Sequence, residues 1–212
     1  MFTEFINELE TKLKESLPAR NAHQKVMSNR KSVDEIDETA LSARQSAVLI
    51  NLYPKNNQLH TVFIQRPIYE GVHSGQIALP GGKVEVFDKN LEETALREAE
   101  EELNIKANNL NIIGKLTPIY VPPSNFLIHP FIAFQLNRPD FIIQESEVAS
   151  YIECRLEFLM GEDKLITSEV IAGGASMNAK GYQLDNHFIW GATGMMIKEF
   201  AEVLDRLTTP LS

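Results

Sequence analysis

Residues Gly75–Ile105 read GQIALPGGKVEVFDKNLEETALREAEEELNI. A glycine pair, Gly81-Gly82, stands ahead of an acid-rich run from Glu92 to Glu102. Asn90 with Glu93 three residues later has the form of a capping box, Asn replacing Ser or Thr. Asn104 falls where a left-handed residue closes a helix. The spacing therefore predicts a helix over 90–103. Glu98, Glu101 and Glu102 stand at i, i+3 and i+4, within an arc of about 100° on its surface. Ala95, Leu96, Ala99 and Leu103 fill an adjacent arc that can pack on a sheet. Three carboxylates this close repel one another unless a cation sits between them. Hard oxygen ligands suit Mg²⁺ or Mn²⁺, which also accept phosphate oxygens. A solvated helix face explains an acid run, but not this register behind a glycine pair. Gly81-Gly82 lets a backbone carbonyl approach a metal where a side chain would intrude. Arg97, four residues from both Glu93 and Glu101, can tie carboxylates down from the flank.

Upstream, Ala47–Tyr53 and Leu59–Gln65 are short apolar runs around Pro54-Lys55-Asn56-Asn57, which predicts a hairpin. Residues 66–82 read as a glycine-bearing loop. Phe2, Phe5, Ile6, Leu9, Leu13 and Leu17 recur at helical spacing, predicting an amphipathic helix of about four turns ended by Pro18. Its polar face mixes acids and bases, so it fits docking on the domain better than a membrane surface. The apolar face would serve a homodimer interface equally well. Residues 19–44 read as an extended loop with a short turn of helix. Downstream, strands are expected over Leu110–Tyr120, Phe126–Leu136, Val148–Cys154, Leu165–Ile171 and Tyr182–Ile189. A helical turn is expected at Leu156–Leu159 and a terminal helix over Met195–Leu207. Strands with two well-spaced helices indicate an α/β class, a mixed sheet covered on both faces. The expectation is one domain over 1–212: an N-terminal helix and loop (1–44) and a core (45–209).

Among 212 residues, 29 are acidic and 20 basic, a net charge of −9. Such a surface repels a phosphate backbone, which disfavours nucleic acid as a partner. A small anionic substrate would then need a local cation. The single cysteine, Cys154, cannot form an intramolecular disulfide, which fits a reducing compartment. No run reaches the roughly 18 apolar residues of a membrane span. The N-terminus lacks a secretory pattern and the C-terminus is no peroxisomal address, so a cytoplasmic location is expected.

The stretch resembles the Nudix box, G-x5-E-x7-R-E-U-x-E-E-x-G-U with U aliphatic. Arg97, Glu98, Ala99, Glu100, Glu101, Glu102, Leu103 and Ile105 fit it position by position, with Asn104 in place of the final glycine. Counting from Gly82, the first acid is Asp88, and one extra residue separates it from Arg97. That insertion resembles the coenzyme A pyrophosphatase subgroup. The subgroup's upstream signature, L-L-T-x-R-[SA]-x3-R-x3-G-x3-F-P-G-G, is similar to VFIQRPIYEGVHSGQIALPGG here, matching at Arg66, Gly75, Pro80, Gly81 and Gly82. Ile64, Pro67, Gly71 and Leu79 depart from it, and Gly71 replaces an arginine. Ser124–Pro130 and Ile189–Gly194 also look like this subgroup.

The resemblance implies an α/β/α sandwich and Mg²⁺- or Mn²⁺-dependent hydrolysis of a nucleoside diphosphate derivative. Coenzyme A would give 3′-phospho-AMP and 4′-phosphopantetheine; ADP-ribose or NADH is the alternative substrate, and an inactive ligand-binding domain the alternative role. By position, Glu98, Glu101, Glu102 and the Gly82 carbonyl would be metal ligands, with Arg97 orienting the glutamates. Glu98, Glu147 and Glu145 are the general-base candidates. Arg66, Lys83 and His73 are candidates for substrate contact. His129 and Trp190 read more readily as packed residues, although Trp190 could stack on a base.

Overall fold

In the computed structural model, residues 2–28, 42–69, 73–172 and 174–211 are described. Two helices, α1 (Thr3–Leu13) and α2 (Arg20–Val26), precede a long strand β1 (Arg44–Lys55). Then come β2 (Gln58–Gln65), β3 (Ile77–Ala78), β4 (Gly81–Lys83), α3 (Leu91–Leu103), β5 (Asn111–Lys115), β6 (Ile119–Val121), β7 (Phe126–Phe134) and β8 (Ser150–Arg155). The chain closes with α4 (Leu156–Leu159), β9 (Leu165–Ala172), β10 (Ala175–Leu184), β11 (His187–Trp190) and α5 (Gly191–Leu204).

β1 is the axis of a mixed sheet. It runs parallel to β7, with Ala47 opposite His129, and antiparallel to β4 and β2. β2 carries β8 and β3, and β7 carries β5 and β6. Along β1 successive side chains enter two different cores, as strand alternation requires. Ala47, Leu49 and Tyr53 pack with Ala95, Ala99 and Leu103 of α3. Val48, Ile50 and Leu52 pack with α1 and α5, against Phe5, Leu9, Ile197 and Phe200. Burial on both faces is why this segment reads as a continuous apolar run. Each fully buried Leu or Ile contributes roughly 1.5–3 kcal/mol. A second, antiparallel sheet of β9, β10 and β11 leads into α5.

Several boundaries differ from the sequence expectation. α1 stops at Leu13, one turn short, although Leu17 still packs on the core. Its apolar face, Phe5, Ile6, Leu9 and Leu13, is buried inside the chain. The hairpin turn is only Asn56-Asn57, both in the left-handed region at φ 51° and 58°, as a two-residue hairpin favours. The loop expected over 66–82 contains β3 and β4. The single strand expected over Leu110–Tyr120 is two, β5 and β6, which pair with different parts of β7. Tyr182–Ile189 is not one strand but the end of β10, a turn at Asp185-Asn186, and β11. Early β10 is exposed and polar, so it carries no strand periodicity. The 19–44 loop contains α2, a full helix whose His23 bonds Glu199 of α5 at 2.9 Å. Glu199 is fully buried and also accepts from Thr117 Oγ1 at 2.6 Å and from the Ala19 N–H at 3.2 Å. The remaining loop residues, 29–41, lie outside the described residues. Among the described residues, no helix is long and apolar enough to cross a membrane.

One polar cluster clamps the far end of the sheet. Glu153 of β8 accepts from Tyr53 Oη at 2.9 Å and Lys55 Nζ at 3.0 Å, both on β1, and from Arg138 Nε and Nη2 at 2.9 and 2.8 Å. Burial alone would raise the Glu153 pKa. The hydrogen bonds from Arg138, Lys55 and Tyr53 outweigh it and bring the pKa from the ordinary 4.5 to about 2. A carboxyl with a depressed folded pKa contributes stability that is complete above the unfolded value and lost as pH falls through the folded one. Glu153→Gln should therefore lower stability by about 1–3 kcal/mol at neutral pH. The gap between variant and parent in urea midpoint should stay constant down to about pH 5 and close between 4.5 and 2. A gap that does not depend on pH would refute the clamp.

Candidate active site

α3 is fixed at both ends. At its start the Asn90 side chain accepts from the Glu93 N–H at 2.8 Å. The reciprocal arm is displaced by one residue: Glu93 Oε2 accepts from the Lys89 N–H at 2.9 Å. At its end Asn104 is left-handed, φ 59°, as its position predicts. The exposed carbonyls of the last turn, orphaned in any helix, receive the segment that follows β7. Gln144 N–H donates to the Glu102 carbonyl at 3.0 Å, and Ile142 N–H to that of Leu103 at 3.2 Å. Val148 is fully buried and anchors the same segment. This strap carries Glu147 to the helix.

The buried stripe of α3 is Thr94, Ala95, Glu98, Ala99, Glu102 and Leu103. Two carboxylates thus share the face that packs on the sheet, and Leu96, expected there, is only half-buried. Glu98 is 8% exposed and Glu102 2%. They fit because they face glycine. A Cβ on Gly82 would lie 2.5 Å from the Glu98 carboxyl carbon. Gly81 donates its N–H to Glu102 Oε2 at 2.9 Å. A Cβ on Gly81 would lie 2.3 Å from the Ala47 carbonyl oxygen, because β4 is pressed onto β1.

Among the described residues, the carboxylates that converge are Glu98, Glu102 and Glu147, with one oxygen of each within 4.8 Å of the others. Burial raises the Glu98 pKa, against the opposing pull of Arg97. Burial pushes Glu102 up to about 8; the Gly81 N–H and Arg66 oppose this, and Glu98 and Glu147 add to it. Buried carboxylates strained in this way are ready ligands for a divalent cation, which removes the cost of holding them ionised. The donor set is all oxygen, as Mg²⁺ or Mn²⁺ requires.

Arg97 organises the rim. It donates to Asp88 from Nε at 2.9 Å and Nη2 at 3.0 Å, to Glu98 and Glu101 from Nη1 at 2.8 and 2.9 Å, and to the Lys83 carbonyl at 3.0 Å. Helical spacing pairs it correctly with Glu101. Its expected partner Glu93 instead binds Lys89, and Asp88 takes that role. Hydrogen bonds from Arg97 hold the Asp88 carboxyl below the usual carboxylate range. Asp88 was visible in sequence as the first acid of the box, but helix periodicity does not reach across the loop to it. Glu101, 55% exposed, turns to Arg97 and lies outside the three-carboxylate convergence.

The other candidates are scattered more widely. Arg66 lies close enough for its charge to act on Glu102. Lys83 points its ammonium at Glu85, 2.9 Å away. His73 Nδ1 is 3.1 Å from Gln76 Oε1. His129 bonds Gln45 at 2.8 Å, and burial lowers its pKa, consistent with a packed residue. Gly71 lies outside the described residues. A hollow of about 570 Å³ sits at the opposite end of β2 around Gln58, Arg155 and Lys164, and is lined by none of these carboxylates.

A model of the NUDIX domain matches residues 43–164. The Nudix hydrolase NudL of Yersinia pestis (strain Pestoides F) is 32% identical over 161 residues, 75% of this chain and 79% of that protein. NudL of Yersinia enterocolitica is 34% identical over 130 residues, 61% of this chain and 66% of that protein. Among solved structures, a MutT/nudix family protein from Enterococcus faecalis aligns with a TM-score of 0.53 at 19% identity, over 97% of this chain and 75% of its own. The MutT protein from Methanosarcina mazei Go1 aligns at 0.51 and 19%, over 77% and 93%. At such identity these two likenesses speak to the fold.

The two glycines should fail differently when changed. Gly81→Ala drives a methyl into the β1 backbone and should cost about 1–3 kcal/mol of stability. Gly82→Ala meets only a carboxylate, which can swing aside. It should change thermal stability little and weaken stabilisation by millimolar Mg²⁺ or Mn²⁺ at least tenfold in apparent affinity, roughly 1.4 kcal/mol. Equal loss of stability in both variants would contradict this geometry.

Proposed function

Because the chain belongs to the Nudix family of hydrolases, acting on nucleoside diphosphate derivatives, we propose that its substrate is coenzyme A or an acyl-CoA. The products are 3′-phospho-AMP and 4′-phosphopantetheine, or its acylated form. The observation that carries the hydrolytic reading is the convergence of Glu98, Glu102 and Glu147 beside Gly81-Gly82. The coenzyme A assignment is supported by Arg66, Gly75, Pro80, Gly81 and Gly82, and by the one-residue insertion between Asp88 and Arg97. A Nudix hydrolase of ADP-ribose or NADH is the second reading, favoured by Gly71 standing where the signature has arginine.

In this reading Glu98 and Glu102, with the Gly82 carbonyl, would hold Mg²⁺ or Mn²⁺, and Glu101, paired with Arg97 at the rim, would swing in to complete the set. When bound, the ion supplies an acidified water and neutralises charge on the diphosphate. Arg97 holds Glu98 and Glu101 in register, and Asp88 holds Arg97. Glu147 is the preferred base: it is exposed, joins the convergence, and is free of the Arg97 pairing that occupies Glu98. It takes the proton from the attacking water as the water oxygen bonds to one phosphorus. The bond from that phosphorus to the bridging oxygen breaks, and the second phosphate leaves with that oxygen. Arg66, at the end of β2 beside the glycines, meets the substrate phosphates, with Lys83 and His73 nearer the rim. α1, the two sheets and α5 act as one domain, in a cytoplasmic setting. Cys154 is a buried free thiol, its pKa pushed up to about 12 by burial.

The test is turnover of coenzyme A, acetyl-CoA, ADP-ribose and NADH with Mg²⁺ or Mn²⁺. Phosphopantetheine release from coenzyme A should dominate. Glu102→Gln should lower kcat by at least ~10³-fold and leave the circular dichroism spectrum unchanged. Glu147→Gln should lower kcat at least ~10²-fold and leave the circular dichroism spectrum unchanged. Turnover of ADP-ribose alone would remove the coenzyme A reading. Tight binding of one of these with turnover of none would identify a ligand-binding domain.

A further inference from the structure

We propose that the cleft between the β2–β3 edge and the C-terminal meander is a nucleobase subsite, with Trp190 as its stacking platform and His187 as a hydrogen-bonding group. This rests on the nucleoside diphosphate reading above. The cleft holds about 270 Å³ and is lined by Gln65, Ile77, Asn186, His187, Phe188 and Trp190 among others. Its position follows from chain connectivity. Gln65 immediately precedes Arg66, whose charge reaches Glu102. Ile77 is four residues from Gly81, at most about 14 Å of extended chain. Gln65 is also tied to the base of the Glu147 strap, accepting from Ala149 N–H at 2.9 Å through its carbonyl and from Ser150 Oγ at 3.0 Å through its side chain. β11 lies against β3 and forms the opposite wall. A group in this cleft therefore sits one substrate arm away from the carboxylates.

Size and chemistry restrict what enters. Whole-ligand pockets usually run from roughly 300 Å³ upward, so this cleft takes one moiety, not a whole dinucleotide. Its lining among the described residues is aromatic, aliphatic or neutral polar, with no charged side chain. A phosphate here would lose its hydration without a cation in return. A neutral heterocycle with a flat face and a hydrogen-bonding edge loses least and matches the wall. Nδ1 of His187 is buried and has no hydrogen-bond partner among the described residues. A buried polar atom left unpaired is costly in a finished structure, and a turn of the His187 ring toward the cleft would offer it to a base edge. Trp190 ends β11 and lines the cleft, partly exposed rather than sealed in the core. The tight turn at Asp185, φ 49°, sets Asn186 and His187 at the mouth.

Trp190 is the only tryptophan in the chain, so its fluorescence reports the cleft directly, without metal and without turnover. Adenosine titrated into the metal-free protein should quench it saturably, whereas 4′-phosphopantetheine should not. His187→Ala should weaken the adenosine response about tenfold, with its melting curve confirming the fold. Silence with adenosine, or quenching by phosphopantetheine, overturns the proposal, and the unmodified protein decides this alone. Unchanged adenosine affinity in His187→Ala would overturn the role given to His187. Quenching by adenosine without hydrolysis of any diphosphate would sink the catalytic reading and leave the subsite standing. Hydrolysis without quenching would do the reverse.

Discussion

The structure depends on two carboxylates kept out of water. Glu98 and Glu102 lie on the face of α3 that packs against the sheet, where an apolar side chain would ordinarily sit. Burying ionised carboxylates is expensive, and here the cost is met only in part by Arg97, the Gly81 N–H and the nearby charge of Arg66. The strand opposite offers backbone and no side chain at Gly82, which faces Glu98, while Gly81 lets that strand press onto β1. The helix must not rotate or slide, since one residue of rotation would turn both acids away.

Much of the surrounding architecture supplies that rigidity. Ala95, Ala99 and Leu103 press α3 onto β1, and the small size of the two alanines brings the helix close. Asn90 and Asn104 close its ends. The strap from 141 to 148 satisfies the last carbonyls of the helix and, in the same step, delivers Glu147. Arg97 bridges loop and helix through Asp88, Glu98, Glu101 and the Lys83 carbonyl, so the segment before α3 is held in register with it. These contacts are coupled: loosening Asp88 releases Arg97, which in turn releases two glutamates.

The opposite face of β1 serves a different purpose. There α1 and α5 bury Phe5, Leu9, Ile197 and Phe200, and α5 is preceded by the β9–β11 meander. The meander reaches around the sheet edge to stand beside β3. One chain segment thus closes the second core and also forms a wall of the cleft beside β3.

Local chemistry in the sequence determined the elements that rest on near neighbours. The register of Glu98, Glu101 and Glu102, the caps of α3, the apolar run of β1 and the glycine pair are all short-range patterns set by helix and strand geometry. The box spacing carried the family. Tertiary structure alone decided which acids converge. Glu147 reaches Glu98 and Glu102 through a strap whose hydrogen bonds go to helix carbonyls, groups with no signature in the side-chain sequence. Glu101 turns to Arg97 although it shares a helical arc with the other two, because arc position does not say which neighbour a long side chain meets. Asp88 replaced Glu93 as partner of Arg97 for the same reason. The first part of β10 stayed hidden because it is exposed and carries no apolar alternation, and the place of Trp190 at a cleft depends on a sheet edge more than a hundred residues earlier in the chain.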